Sequence, residues 1–347
     1  MRAVVMQGRR LHLAELPDPV PGDGEVLVEV LACGICGSDL HCAQYGAEFN
    51  DSIRAAHGTD VLDLDRPIVF GHEFVGRVLA HGPGTTGRVP IGRRVVSVPS
   101  LSRPDQPFLG FSGPETPGGY AERMVLSEAL LLEVPDHVPT DQAALTEPLA
   151  VAYHAVVRAD LGPDDVPLVI GCGPVGLALI AVLRTRGAGP VVAADFSAER
   201  RRLAESLGAD LVVDPARSSP YVEWATIATS SGTEPMPTVA FECVGAPGVI
   251  QQIILGAPPG SKIVVAGLCM TSDGFEPAQA VLKELDLRFA FLYTPDEFAR
   301  TFEHLVDGDF SITPLVTRTI KLDEVPEAFD GLSNSPQDAK VLIDPRR

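Results

Sequence analysis

The chain has 347 residues, 45% of them apolar, and a formal net charge of −19 at neutral pH. That length exceeds one ordinary hydrophobic core and predicts two domains. The acidic balance argues against nucleic acid and anionic membrane as partners, because both require a basic face. Six cysteines, at 33, 36, 42, 172, 243 and 269, follow no disulfide framework, which suits a reducing compartment. Met1 to Met6 pass directly into polar sequence without the apolar core of a signal peptide, so a cytoplasmic protein is expected.

From Met1 to about Pro148, short strand-like runs alternate with Pro and Gly turns: Ala3 to Val5, Leu11 to Leu13, Val26 to Ala32, Phe74 to Leu79 and Arg94 to Val98. This spacing predicts a partly open β-barrel or sandwich rather than a parallel sheet. Just after the third run, Cys36-Gly37-Ser38-Asp39-Leu40-His41 packs a thiol, a hydroxyl, a carboxylate and an imidazole into six residues. Gly71-His72-Glu73 follows, and Glu147 opens the apolar run to Val157. Thiolate, imidazole and carboxylate together suit Zn²⁺, and three protein ligands with an open fourth position mark a catalytic zinc. Taken singly, Cys36 reads as a small buried hydrophobe and His72 as a core histidine; embedded together in these strings they read as ligands.

Between His41 and Pro67 the sequence shows no clear period and carries Asp51, Asp60, Asp63 and Asp65, which predicts a long loop, either a lid or a solvated insertion. His57 within it reads as a surface residue. The stretch 97–119 is rich in Pro, Gly and Ser and contains no cysteine.

The run Val166 to Leu183 approaches the length of a membrane span, but Gly171, Gly173, Pro174 and Gly176 split it into a strand and a helix. Gly171-Cys172-Gly173-Pro174-Val175-Gly176 stands between strand Pro167 to Ile170 and helix Leu177 to Arg186, and Asp195 ends a further strand 19 residues beyond Gly176. In that context the glycines form a dinucleotide-binding turn: one for the tight bend, one for close approach to a pyrophosphate, one for helix packing. The helix N-terminus offers N–H donors and partial positive charge to the phosphates. Asp195 can accept from both ribose hydroxyls and would repel a 2′-phosphate, which favours NAD over NADP, while Arg200 could cover an adenine face or meet that phosphate. Strands and helices then alternate through Lys262 to Ala266, predicting a doubly wound parallel sheet. Val244, Gly245, Gly267 and Leu268 lie just past strand ends, where such sheets hold ligands. An amphipathic helix is expected from Pro295 to Val306, and the chain closes with short strands that include Lys340 to Ile343.

CGICGSDLH at 33–41, GHEFVGRV at 71–78, GGYAE at 118–122, EPLAVAYHAV at 147–156 and GCGPVG at 171–176 together resemble the zinc-dependent alcohol dehydrogenases of the medium-chain dehydrogenase/reductase superfamily, in its polyol, butanediol and threonine branch. The likeness runs over essentially the whole chain. It implies an α/β protein with a GroES-like β-barrel catalytic domain, residues 1–152 and 294–347, and a Rossmann domain inserted at 153–293. Cys36 and His72 would be zinc ligands, with Glu147 or Glu73 joining them and water completing the set. Asp39 would orient His72. Ser38 and His41 match the family's proton relay, in which the hydroxyl takes the substrate proton and the imidazole passes it to solvent. The resemblance also implies a homodimer or homotetramer. Two departures stand out: the cysteine lobe that binds a structural zinc in many members is absent from 97–119, so one zinc per subunit is expected, and the spacing from Cys36 to His72 is longer than usual.

The expected activity is reversible oxidation of a secondary alcohol, diol or polyol to ketone or aldehyde with Zn²⁺ and NAD. Glu147 and the acidic segment lean towards small polyols or vicinal diols. The rival readings are a zinc-free quinone or enone reductase of the same superfamily, a non-catalytic dinucleotide-binding protein, and a redox dithiol at Cys33 and Cys36.

Overall fold

The structure, a computed structural model, describes all residues except 104–107, 112, 231–234 and 335–337. The chain divides into two compact units: Met1–Glu147 with Phe298–Asp307 and Val316–Arg347, and Pro148–Glu297 with Gly308–Leu315. The first unit is GroES-like and the second Rossmann-like.

At the centre of the first unit runs the ten-residue strand Glu25–Gly34, whose Val, Leu and Ala side chains are buried along most of its length. It pairs antiparallel with Glu73–His81, Arg123–Ser127 and Lys340–Ile343. The seven-stranded sheet is completed by Arg94–Ser97, Leu131–Glu133 and Val316–Ile320, the last lying parallel to Lys340–Ile343. Register is what matters for chemistry here: Gly34 faces Glu73 on one side and Leu342 on the other.

The segment expected to be a long loop is instead mostly helix, Gly37–His57, bent at Tyr45 where φ is −125° and ψ 34°. Its buried residues, Asp39, Cys42, Gly46, Phe49 and Asn50, do recur at helical spacing. Only Cys42 and Phe49 among them are apolar, so the period is invisible to a hydrophobicity pattern. Gly58 ends the helix in the left-handed conformation, its N–H donating to the Arg54 carbonyl at 2.9 Å. The chain that follows is tied back by one side chain. Asn50 donates to the Leu62 carbonyl at 2.6 Å and accepts from the Val61 and Leu62 amides at 3.2 and 2.9 Å.

In the second unit six parallel strands stand in the order Leu211–Val213, Val192–Ala194, Val166–Ile170, Thr238–Glu242, Lys262–Val265 and Asp286–Phe289. The order reverses between Val166–Ile170 and Thr238–Glu242, and the glycine turn at 171–176 leaves the sheet at this switch point. Helices Pro220–Ser230 and Val325–Asn334 are among those that add to the ones expected, as is Thr146–Ala159 over the apolar run opened by Glu147. The first is anchored by Trp224, wholly buried, whose Nε1 donates to the Val166 carbonyl at 2.8 Å. Among the described residues, no helix is long and apolar enough to cross a membrane.

Replacing Asn50 with Ala removes three hydrogen bonds at a buried position and should destabilise the first unit by about 1–3 kcal/mol. Urea unfolding and proteolysis between Gly58 and Arg66 check this; unchanged stability and unchanged cleavage would contradict the role assigned to Asn50.

Candidate active site

Strand Glu25–Gly34 delivers Cys36 to the N-cap of helix Gly37–His57, and strand Glu73–His81 begins directly after His72. The pairing of Gly34 with Glu73 thus places the two motifs side by side. Ligand atoms of Cys36, His72 and Glu73 all lie within 4.8 Å of one another, the one such group of three or more among the described residues. Glu147 is buried but lies outside that group.

His72 is 4% exposed and Asp39 is fully buried. Asp39 Oδ1 faces His72 Nδ1 at 3.4 Å, and neither atom has a hydrogen-bond partner among the described residues. Asp39 Oδ2 accepts from the Cys36 amide at 3.2 Å and from the Tyr120 hydroxyl at 2.8 Å. At the other end of the imidazole, Nε2 stands 3.4 Å from Ser38 Oγ. Burial disfavours a charged His72, yet Asp39 and Cys36 outweigh it and raise its pKa well above the ordinary value. The pocket calls for positive charge at this ring, which a proton or a divalent cation can supply. A thiol, an imidazole and a carboxylate at these separations fit Zn²⁺.

Glu73 and Lys340 form a pair that sequence reasoning missed. Lys340 Nζ donates to both carboxylate oxygens of Glu73 at 2.6 Å and to the Ile35 carbonyl at 3.1 Å, with both side chains almost fully buried. Burial alone would depress the lysine's pKa, but the charges of Glu73, Cys36 and Glu147 hold it above the usual value. The available signal was a lysine opening a strand, Lys340–Ile343, whose every residue is buried.

An aromatic wall rises beside the ring. Phe111 stacks on His72 with centroids 5.2 Å apart, Phe108 lies 6.1 Å from it, and Phe49 from the helix stacks on Phe111 at 6.2 Å. Ser38 and His41 sit three residues apart on the same helix, hence on one face, and burial lowers the pKa of His41. Cys33 is buried and free, and burial followed by the charge of Asp39 raises its pKa well above the usual. A thiol held protonated is a poor nucleophile, which disfavours a redox dithiol.

In the second unit, Gly171 has φ of 91° and Gly176 packs directly on its carbonyl, so neither tolerates a side chain. A Cβ at Gly173 would meet no protein atom within 4 Å, which leaves that side open to a ligand, and Pro174 and Val175 open helix Pro174–Thr185 just beyond it. Asp195 accepts from the Cys172 amide at 2.8 Å and the Ser197 amide at 2.7 Å, with Arg200 at 3.9 Å. Val244, Gly245, Gly267 and Leu268 are gathered by Glu242, also missed from sequence, whose carboxylate accepts from the Val244 and Gly245 amides at 2.7 and 2.8 Å. A Cβ at Gly245 would lie 2.7 Å from the Leu268 nitrogen. The expected dinucleotide residues therefore form two neighbouring turns, and their shape fits a pyrophosphate-bearing cofactor.

Residues 22–136 match the alcohol dehydrogenase GroES-like domain family and residues 174–307 the zinc-binding dehydrogenase family. A (R,R)-butanediol dehydrogenase from Neisseria gonorrhoeae is 31% identical, with 96% of each chain covered. The chain belongs to the zinc-dependent alcohol dehydrogenases of the medium-chain dehydrogenase/reductase superfamily. A sorbitol dehydrogenase from Gallus gallus is 30% identical over 99% of this chain and 96% of its own. The crystal structure of 2R,3R-butanediol dehydrogenase from Bacillus subtilis superposes with a TM-score of 0.82 at 30% identity, covering 99% of both chains.

Lys340 is the cation paired with the buried Glu73 carboxylate, bonded to both of its oxygens. Lys340→Met strands Glu73 in the interior, and breaking such a buried pair costs about 3–5 kcal/mol. Denaturant unfolding measures it; a loss below about 1 kcal/mol would show that the pair contributes little.

Proposed function

We propose that the chain oxidises a secondary alcohol, diol or polyol reversibly to the ketone or aldehyde, with NAD as hydride acceptor. The observation that carries this reading is the convergence of Cys36, His72 and Glu73 donor atoms within 4.8 Å. Cys36, His72 and either Glu73 or Glu147 would hold Zn²⁺, which would supply Lewis acidity to the alcohol oxygen, and bound NAD would supply the hydride acceptor. The protein's own residues handle the proton. Ser38, beside His72 Nε2, would accept it from the substrate hydroxyl while giving up its own hydroxyl proton, which His41 would take and release to solvent. Because burial lowers the His41 pKa, its imidazole is a free base at neutral pH and ready to accept. Asp39 Oδ1, 3.4 Å from His72 Nδ1, would favour the tautomer with Nδ1–H and leave Nε2 free for a metal. Asp195 and the turn at 171–176 would hold the ribose and pyrophosphate of NAD, and the negative charge of Asp195 would disfavour the 2′-phosphate of NADP. A zinc-free reductase would have no use for the three donors, and a mere dinucleotide sensor would have none for Ser38 and His41.

For the substrate, the acidic segment gives no support to polyols. Asp51 and Asp60 pair with Arg54 on an exposed surface. What flanks His72 is the wall of Phe108 and Phe111. Apolar walls penalise hydroxyls that find no partner, so short diols and simple secondary alcohols fit better than long polyols. We infer further that the protein is a homodimer or homotetramer in the cytoplasm. Strand Asp286–Phe289 leaves one sheet edge open, with Phe289 and Phe291 exposed beside it and Val281 and Leu282 exposed on the nearby helix, an apolar edge that a second copy would cover. All six cysteines are free, as in a reducing compartment.

Cys36→Ser is expected to lose both bound zinc and turnover; retention of both sinks the metal assignment. Ser38→Ala should cut alcohol oxidation about 10²-fold or more. The rate of oxidation should fall as pH drops through a value below the ordinary histidine value of about 6.5, and His41→Gln should abolish that limb. On a panel with NAD, kcat/KM for 2,3-butanediol should exceed that for sorbitol; the reverse order would contradict the role given to the aromatic wall.

A further inference from the structure

The GGYAE string at 118–122 brings one more side chain to the metal site. Tyr120 is fully buried, 81 residues from Asp39 in sequence, and its hydroxyl donates to Asp39 Oδ2 at 2.8 Å. The Cys36 amide donates to the same oxygen at 3.2 Å. Two donors on Oδ2 fix the plane of a carboxylate whose terminal torsion is otherwise broad, and they turn Oδ1 towards His72 Nδ1, 3.4 Å away. The phenol is itself clamped. Phe70 and Phe329 meet its ring edge-on at 6.4 and 6.1 Å, and the Tyr120 amide donates to the Phe70 carbonyl at 2.9 Å. Gly71, immediately before His72, has φ of 105°, and a Cβ there would lie 2.6 Å from Tyr120 Cδ1. The glycine of the GHE string thus makes room for the tyrosine ring. Burial first, then the charge of Asp39, raises the phenol's pKa, so it remains a donor at any working pH.

We propose that Tyr120 is a positioning residue of the metal site: its hydroxyl holds Asp39 in the orientation that keeps His72 Nε2 aimed at the metal. The inference rests on the zinc-site reading above. Outer-shell partners of this kind are worth about 10–100-fold in metal affinity.

The test is zinc affinity of the full-length protein, measured by competition with a chromophoric chelator. Tyr120→Phe keeps the ring and its packing and removes one oxygen. It should weaken zinc binding about tenfold or more, whereas the same change added to Asp39→Asn should shift affinity less than about twofold. A merely structural tyrosine would lower the melting temperature and leave the zinc Kd unchanged, which overturns the proposal, as would equal effects in both backgrounds. Should Tyr120→Phe not fold, Phe329→Leu loosens the ring with the hydroxyl retained, and a rate of zinc loss to chelator equal to wild type then counts against it. A wild-type protein that binds no zinc overturns the parent reading instead, an outcome distinct from these.

Discussion

The pairing of strand Glu25–Gly34 with strands on both sides is the constraint on which the chemistry depends. Gly34 sits opposite Glu73 and opposite Leu342, so residues from positions 36, 72 to 73 and 340 meet at one point. A Cβ on Gly34 would run into the Glu73 carboxylate, so the absence of a side chain there is part of the site. A one-residue slip would turn these side chains to opposite faces of the sheet and disperse the donors.

Around that point the structure collects negative charge and then contains it. Asp39, Glu73 and Glu147 are carboxylates drawn into an interior where unpaired anions are costly, and the ring of His72 faces the first while Lys340 pairs with the second. The same logic appears in the second unit on a smaller scale. Glu242 is buried and its pKa is raised by that burial, yet the Val244 and Gly245 amides stabilise it, and the turn it organises stays in place. In both places a buried carboxylate fixes backbone or ligand geometry through hydrogen bonds.

Much of this was legible in the sequence because the signals were local. Most strands of both units and the glycine turn at 171–176 stand where alternation, β-branched runs and Gly and Pro punctuation put them, Leu131–Glu133, Asp286–Phe289 and Val316–Ile320 being the exceptions. Cys36, His72 and Glu73 were readable from residue type and do meet, while Glu147 lies outside their group. The helix Gly37–His57 was not, because its inward face is built from Asp, Cys, Gly, Phe and Asn rather than aliphatic residues. Lys340, Tyr120 and Glu242 escaped for another reason: each acts on a partner brought near only by tertiary pairing, and Lys340 meets Glu73 across 267 positions of chain. Local pattern carries no information about such pairs.

The account stands on Cys36 and His72 sharing one divalent ion. Anomalous X-ray scattering at the zinc edge, on crystals of the purified protein, tests this most directly. The account predicts one strong peak per chain, about 2.3 Å from Cys36 Sγ and about 2.0–2.1 Å from His72 Nε2. A zinc-loaded crystal with no peak there, or with its peak at other residues, would contradict it.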